Sequence, residues 1–160
     1  MGVDFEQDLS IQLHDVARLT RTLADRCARA QGMTRAQWVV LLKLSRTPGL
    51  AQREIADALD VEPISLARLI DKLQAAGLVE RRADLADRRI WRLHLTPAAA
   101  PVVEDILVQR NHLVALVTNG MSPELHETML EGLRLMKHNL AGLLCAPGPF
   151  EEEQKCLNTR

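Results

Sequence analysis

Between Val61 and Gly77 the chain carries a helix whose two ends are marked by residue type. Pro63 stands near the first helical position, where its missing N–H costs nothing, and Gly77 stands where a left-handed cap is wanted. Leu66, Leu69, Ile70 and Leu73 form the apolar stripe, while Ser65, Arg68 and Lys72 recur at steps of three and four on the other side. Directly behind Gly77 the period changes. Leu78 to Arg82 and Ile90 to Leu95 read as strands, and the polar seven-residue stretch Ala83 to Arg89 between them predicts a hairpin with a charged tip.

A short helix fits Ala51 to Ala58, so the segment from Ala51 to Gly77 has helix-turn-helix proportions and the hairpin makes it a winged version. Upstream, Leu13, Val16, Leu19, Leu23 and Cys27 trace the stripe of an amphipathic helix that Gly32 ends. Thr34 and Gln37 form a capping box for a second helix bearing Trp38, Leu41, Leu42 and Leu44, which stops at Thr47-Pro48-Gly49. Downstream, Thr96-Pro97 and Ser122-Pro123 each read as a cap with proline at a helix start, opening two long helices. The predicted fold is mainly α with a small β-hairpin: a winged helix-turn-helix domain over 33–96, a helical dimerisation region over 9–31 and 97–144, and a flexible tail over 146–160. The first and last helices carry more apolar stripe than a winged domain can cover, which calls for a partner subunit.

With 160 residues, 47% apolar and 26% charged, the chain is expected to fold as one ordinary domain with appended helices. Its 20 basic and 21 acidic residues leave a formal charge of -1, so any nucleic-acid interface must be local. No Tyr and only four Phe and Trp argue against a stacking platform for single strands. Cys27, Cys145 and Cys156 lack metal-ligand or disulfide spacing, which fits a reducing compartment. Asp4, Glu6 and Asp8 stand where a signal peptide would be basic, and no apolar run is long enough to span a bilayer, so a cytoplasmic location without membrane attachment is expected. His14, His94, His112, His126 and His138 have no spaced acid partner, and there is no HExxH or glycine-rich phosphate loop. Neither an enzyme nor a bound cofactor is expected.

A helix reads the major groove only if its outward face offers donors and acceptors of suitable reach. Ser65, Arg68 and Lys72 supply such a face: Arg68 suits a guanine edge, and Ser65 and Lys72 suit phosphates. The same pattern also fits a solvated face on which Arg68 or Lys72 pairs with Asp71 or Gln74. The hairpin adds Arg81, Arg82, Arg88, Arg89 and Arg92 against Glu80, Asp84 and Asp87, a local excess of two positive charges at the tip and along the strands. An arginine on a protruding loop suits a narrow minor groove, and Asp87 is placed to brace Arg89. Surface ion pairs would produce the same composition.

The run TRAQW, QREIADALDVEPISLARLIDKLQAAGLVERR, DLADRR and LHLTPAAA resembles the MarR family of winged-helix transcription regulators, most closely its SlyA branch, over roughly residues 9 to 144. The joint signal is DxxDRR followed by LT behind a helix-turn-helix. The resemblance implies a homodimer with interlaced first and last helices, binding double-stranded, near-palindromic DNA and acting most often as a repressor. It implies that Ser65 and Arg68 sit on base- and phosphate-reading positions, that Arg89 enters the minor groove, and that Arg88 lies beside the backbone. Pro63-Ile64 departs from the pattern, because relatives often have a polar residue followed by proline there.

The resemblance further implies a small aromatic carboxylate or phenol as effector, held between the dimerisation helices and the winged domain. Arg18 and Trp38 fall at the corresponding positions, with His14 a further candidate. A guanidinium can grip a carboxylate while an indole packs the ring; equally, Trp38 suits a core and Arg18 a surface charge. Two alternatives share the fold: a thiol-based redox regulator using Cys27, Cys145 or Cys156, and a winged-helix protein-interaction module without DNA affinity. Cys27 lies on an apolar stripe, where an inert buried thiol is expected.

Overall fold

The computed structural model describes residues 7–84, 86–87 and 90–145. Arg88, Arg89, Cys156 and the tail over 146–160 lie outside the described residues. In chain order the elements are α1 (Leu9–Ala30), α2 (Arg35–Arg46), β1 (Leu50–Ala51), α3 (Gln52–Leu59), α4 (Pro63–Ala75), β2 (Val79–Ala83), β3 (Trp91–Leu95), α5 (Ala99–Val117) and α6 (Pro123–Cys145). The chain divides into two compact units, one ending at Val117 and the other, which contains α6, beginning at Thr118. No helix among the described residues is long and apolar enough to cross a membrane.

Local chemistry sets the helix ends. The Asp8 carboxylate accepts from the backbone N–H groups of Ser10 and Ile11 and so starts α1. Thr34 and Gln37 form the expected capping box of α2, with the Gln37 N–H on Thr34 Oγ1 at 3.2 Å and the Thr34 N–H on Gln37 Oε1 at 2.8 Å. Pro63 is the first residue of α4, and beyond its end Gly77 takes φ +71 while the Leu78 N–H returns to the Leu73 carbonyl at 3.0 Å. This is a glycine-capped helix end whose last carbonyls are satisfied by the turn itself.

Two expectations are corrected. The sheet has three strands in the order β1-β3-β2, because Leu50 and Ala51 pair antiparallel with Leu93 and Arg92. In addition, Thr96 does not cap α5 with its side chain. Its hydroxyl donates to the Gly77 carbonyl at 2.5 Å, tying the end of β3 to the end of α4, and α5 begins only at Ala99.

The core of the first unit joins Trp38, Leu41 and Leu44 of α2, Ile55 of α3, Leu66, Ile70 and Leu73 of α4, Val79 of β2 and Leu93 of β3. Each fully buried aliphatic side chain contributes about 1.5–3 kcal/mol. Ala28 of α1 and Val103 and Ile106 of α5 belong to the same cluster. The winged segment therefore shares its core with both flanking helices, and this fixes which side of α4 remains outside.

Candidate nucleic-acid interface

Successive residues of a helix turn by about 100°. With Leu66, Ile70 and Leu73 of α4 at most 1% exposed, the side opposite them centres on Arg68. Ser65, Arg68 and Lys72 are all exposed there, as expected from their spacing. The structure gathers these three with Thr34 and Gln37 around a concavity of about 410 Å³. Neither Arg68 nor Lys72 has an ion-pair partner among the described residues.

The carboxylate that might have neutralised them is engaged elsewhere. Arg81 on β2 donates to Asp71 at 2.7 Å and to Gln74 at 2.5 Å. Arg68 and Lys72 are thus left as uncompensated cations on an exposed face, where an anionic partner meets no competing internal contact.

The hairpin arginines have a different disposition from the one their composition suggested. Arg82 is bound to Glu80 on its own strand. Arg92 donates Nε to Asp84 at 2.7 Å and Nη1 to the Gly49 carbonyl and Glu54 at 3.3 Å. With Arg81 also engaged, all three strand arginines are paired with carboxylates, and the strands do not form a free positive stripe. The local excess of positive charge counted from the sequence stands, and for these three arginines the alternative of surface ion pairs is the one observed.

Asp84 organises the base of the wing. Its Oδ1 accepts from the N–H groups of Ala86 at 2.8 Å and Asp87 at 3.0 Å, while its backbone N–H donates to the Ile90 carbonyl at 2.9 Å. The Arg92 guanidinium, followed by these two backbone donors, lowers the Asp84 carboxyl to a pKa of about 2. Sequence reasoning assigned Asp84 no role; an Asp opening a short polar loop, a residue type that closes turns by accepting from the backbone two residues on, was the available sign. The Asp87 carbonyl accepts from the Ile90 N–H at 2.9 Å, so Asp87 is part of the same turn. Arg88 and Arg89, the tip residues assigned to DNA, lie outside the described residues.

The effector candidates are dispersed. His14 and Arg18 are exposed one turn apart on α1, and Arg18 pairs with Asp15 at 3.1 Å. Trp38 is only 4% exposed and belongs to the core, with its indole N–H unpartnered among the described residues. A cavity of about 700 Å³ opens elsewhere, lined by Leu44, Arg82, His94, Val103 and Leu107 among others. Cys27 is half-buried and packs against the core.

A short helix, a turn, a second helix with an uncompensated cationic face and an antiparallel hairpin define a winged helix-turn-helix protein. Comparison with known proteins agrees. Residues 31–90 match the MarR family. The structure of the transcriptional regulator SlyA superposes with a TM-score of 0.74 at 23% identity, covering 85% of this chain and 96% of that one. A MarR-family transcriptional regulator from Silicibacter pomeroyi gives 0.75 at 26% identity, covering 86% and 92%. Apo MarR from E. coli gives 0.72 at 23%, covering 81% and 96%. The segment over 31–90 is thus similar to the MarR family, and the chain has the fold of the MarR and SlyA transcriptional regulators. SlyA and MarR match it about equally, so the likeness is one of fold and singles out no branch.

Proposed function

We propose that this chain is a homodimeric, sequence-specific DNA-binding regulator that represses transcription by occupying a near-palindromic operator in the cytoplasm. The observation that carries the reading is the exposed face of α4, on which Arg68 and Lys72 have no internal carboxylate among the described residues. Arg68 takes a guanine edge, and Ser65 and Lys72 take phosphates and set the register. The wing adds Arg89 in the minor groove and Arg88 at the backbone, with Asp87 bracing Arg89; these assignments rest on the family resemblance.

Dimerisation is supported by α1, where Leu9 is 66%, Val16 53% and Leu19 57% exposed. A dimer places two copies of α4 about 34 Å apart, matching successive major grooves. A small aromatic carboxylate or phenol is the proposed effector, with Arg18, Trp38 and His14 as its contacts. Because Trp38 is buried, that site would have to form by rearrangement, and the ligand acts only through its difference in affinity between the two arrangements.

Selection of the full chain against a random duplex pool tests the central claim. Recovery of two half-sites about one helical turn apart supports it, and equal retention of every duplex at moderate salt refutes it. Salicylate titration followed by Trp38 emission in a Trp91→Phe variant tests the effector. A signal change accompanied by weaker DNA binding is expected, and an unchanged signal with unchanged affinity removes the effector assignment.

A further inference from the structure

Ile64 is the second residue of α4 and is 66% exposed. It precedes Arg68 by one turn, on the same outward side. Among the described residues it takes no part in the core, whose stripe on α4 lies on the opposite side, at Leu66, Ile70 and Leu73. Val61, just before the helix, is also 38% exposed, so two exposed aliphatic side chains flank the N-cap Glu62 and Pro63 at the leading end of this helix.

From this placement we infer that Ile64 is a specificity-determining residue that reads the C5-methyl of a thymine in the major groove. The inference rests on the DNA-binding reading above and assigns a partner to the one part of the α4 face that reading leaves unexplained. A branched aliphatic side chain can neither donate to a phosphate nor pair with a base edge, and the thymine methyl is the apolar group that the major groove presents. The uncompensated cations Arg68 and Lys72 on the same face bring the phosphates of a duplex to it by charge complementarity.

Distance narrows the target. Four helical residues advance about 6 Å, and base pairs are spaced about 3.4 Å apart. The thymine therefore lies within about two base pairs of the guanine taken by Arg68.

The test uses the full chain and the duplex recovered by selection, with each thymine replaced in turn by deoxyuridine, which removes only the methyl. One thymine per half-site is expected to cost the wild-type chain about fourfold in affinity, the worth of one buried methyl-sized group. In Ile64→Ala, that same replacement is expected to cost nothing further. Thermal unfolding of Ile64→Ala should match wild type, because the side chain is exposed in the folded chain. If the deoxyuridine penalties are the same in both proteins at every thymine, the inference is overturned while the regulator reading stands. If the chain selects no duplex at all, both fall.

Discussion

Arg81 on the wing strand β2 holds Asp71 on the helix α4 at 2.7 Å. Asp71 lies on the same side of the helix as Ile64 and Arg68, where a bare carboxylate would repel the phosphates that Lys72 attracts. An arginine from the wing thus removes an acidic charge from the proposed reading face. Arg81→Gln is expected to weaken operator binding about five- to tenfold, and adding Asp71→Asn should restore most of the loss. Unfolding free energy should change by no more than about 1 kcal/mol, as for surface ion pairs generally. Anisotropy titrations of the two single variants and the double variant read the coupling directly; equal weakening with and without Asp71→Asn would show that Arg81 acts in some other way.

Arg68 and Lys72 are both exposed, yet they are assigned different work. Arg68→Gln should lose about 1–3 kcal/mol of affinity and relax selection at a single base pair of each half-site. Lys72→Gln should weaken all duplexes by a similar factor and reduce the salt slope by about one counterion. Binding selection and salt titration on both variants separate the roles, and a uniform loss from Arg68→Gln would reassign it to the backbone.

The pH dependence of the wing follows from Asp84. Its folded pKa of about 2 lies below the ordinary 3.8, so the charged form is the one the fold favours. The stabilisation is complete above the ordinary value and is lost as pH falls from there through about 2. The Asp84 carboxyl resonance should therefore titrate with a midpoint near 2 in the wild-type chain. In Arg92→Gln the midpoint should move up toward 3.8, since the guanidinium is the largest cause of the shift. A wild-type midpoint at the ordinary value would contradict the contact.

Elements with local punctuation were legible in the residues. Pro63, Gly77, Thr34 and Gln37 act on neighbours within a turn, and the side of α4 that faces outward followed from the spacing of Leu66, Ile70 and Leu73. What escaped was decided across the chain. β1 has two residues, too few to show a period, and exists because Leu93 lies beside Leu50. Thr96 carries the local signal of a cap, but the Gly77 carbonyl, nineteen positions away, takes its hydroxyl. For Arg81, Arg82 and Arg92 the residues left free charge and surface ion pairs both open, because composition does not show which carboxylate stands opposite. Trp38 suited both an aromatic ligand and a core, and only packing shows that it is buried.

The exposed side of α1 gives the last prediction. Leu9, Leu13, Val16 and Leu19 follow one another at steps of three and four and are 37% or more exposed, so replacing them should cost a single folded chain little. A second copy covering this stripe would make the same replacements disruptive. Wild-type protein is expected to sediment as a dimer at micromolar concentration, and Leu13→Glu with Val16→Glu as a monomer of unchanged helix content. Because the second half-site is then no longer tethered to the first, operator affinity should fall by about a hundredfold or more. A monomeric wild type, or a double variant that remains dimeric, would show that α1 is not the contact between copies.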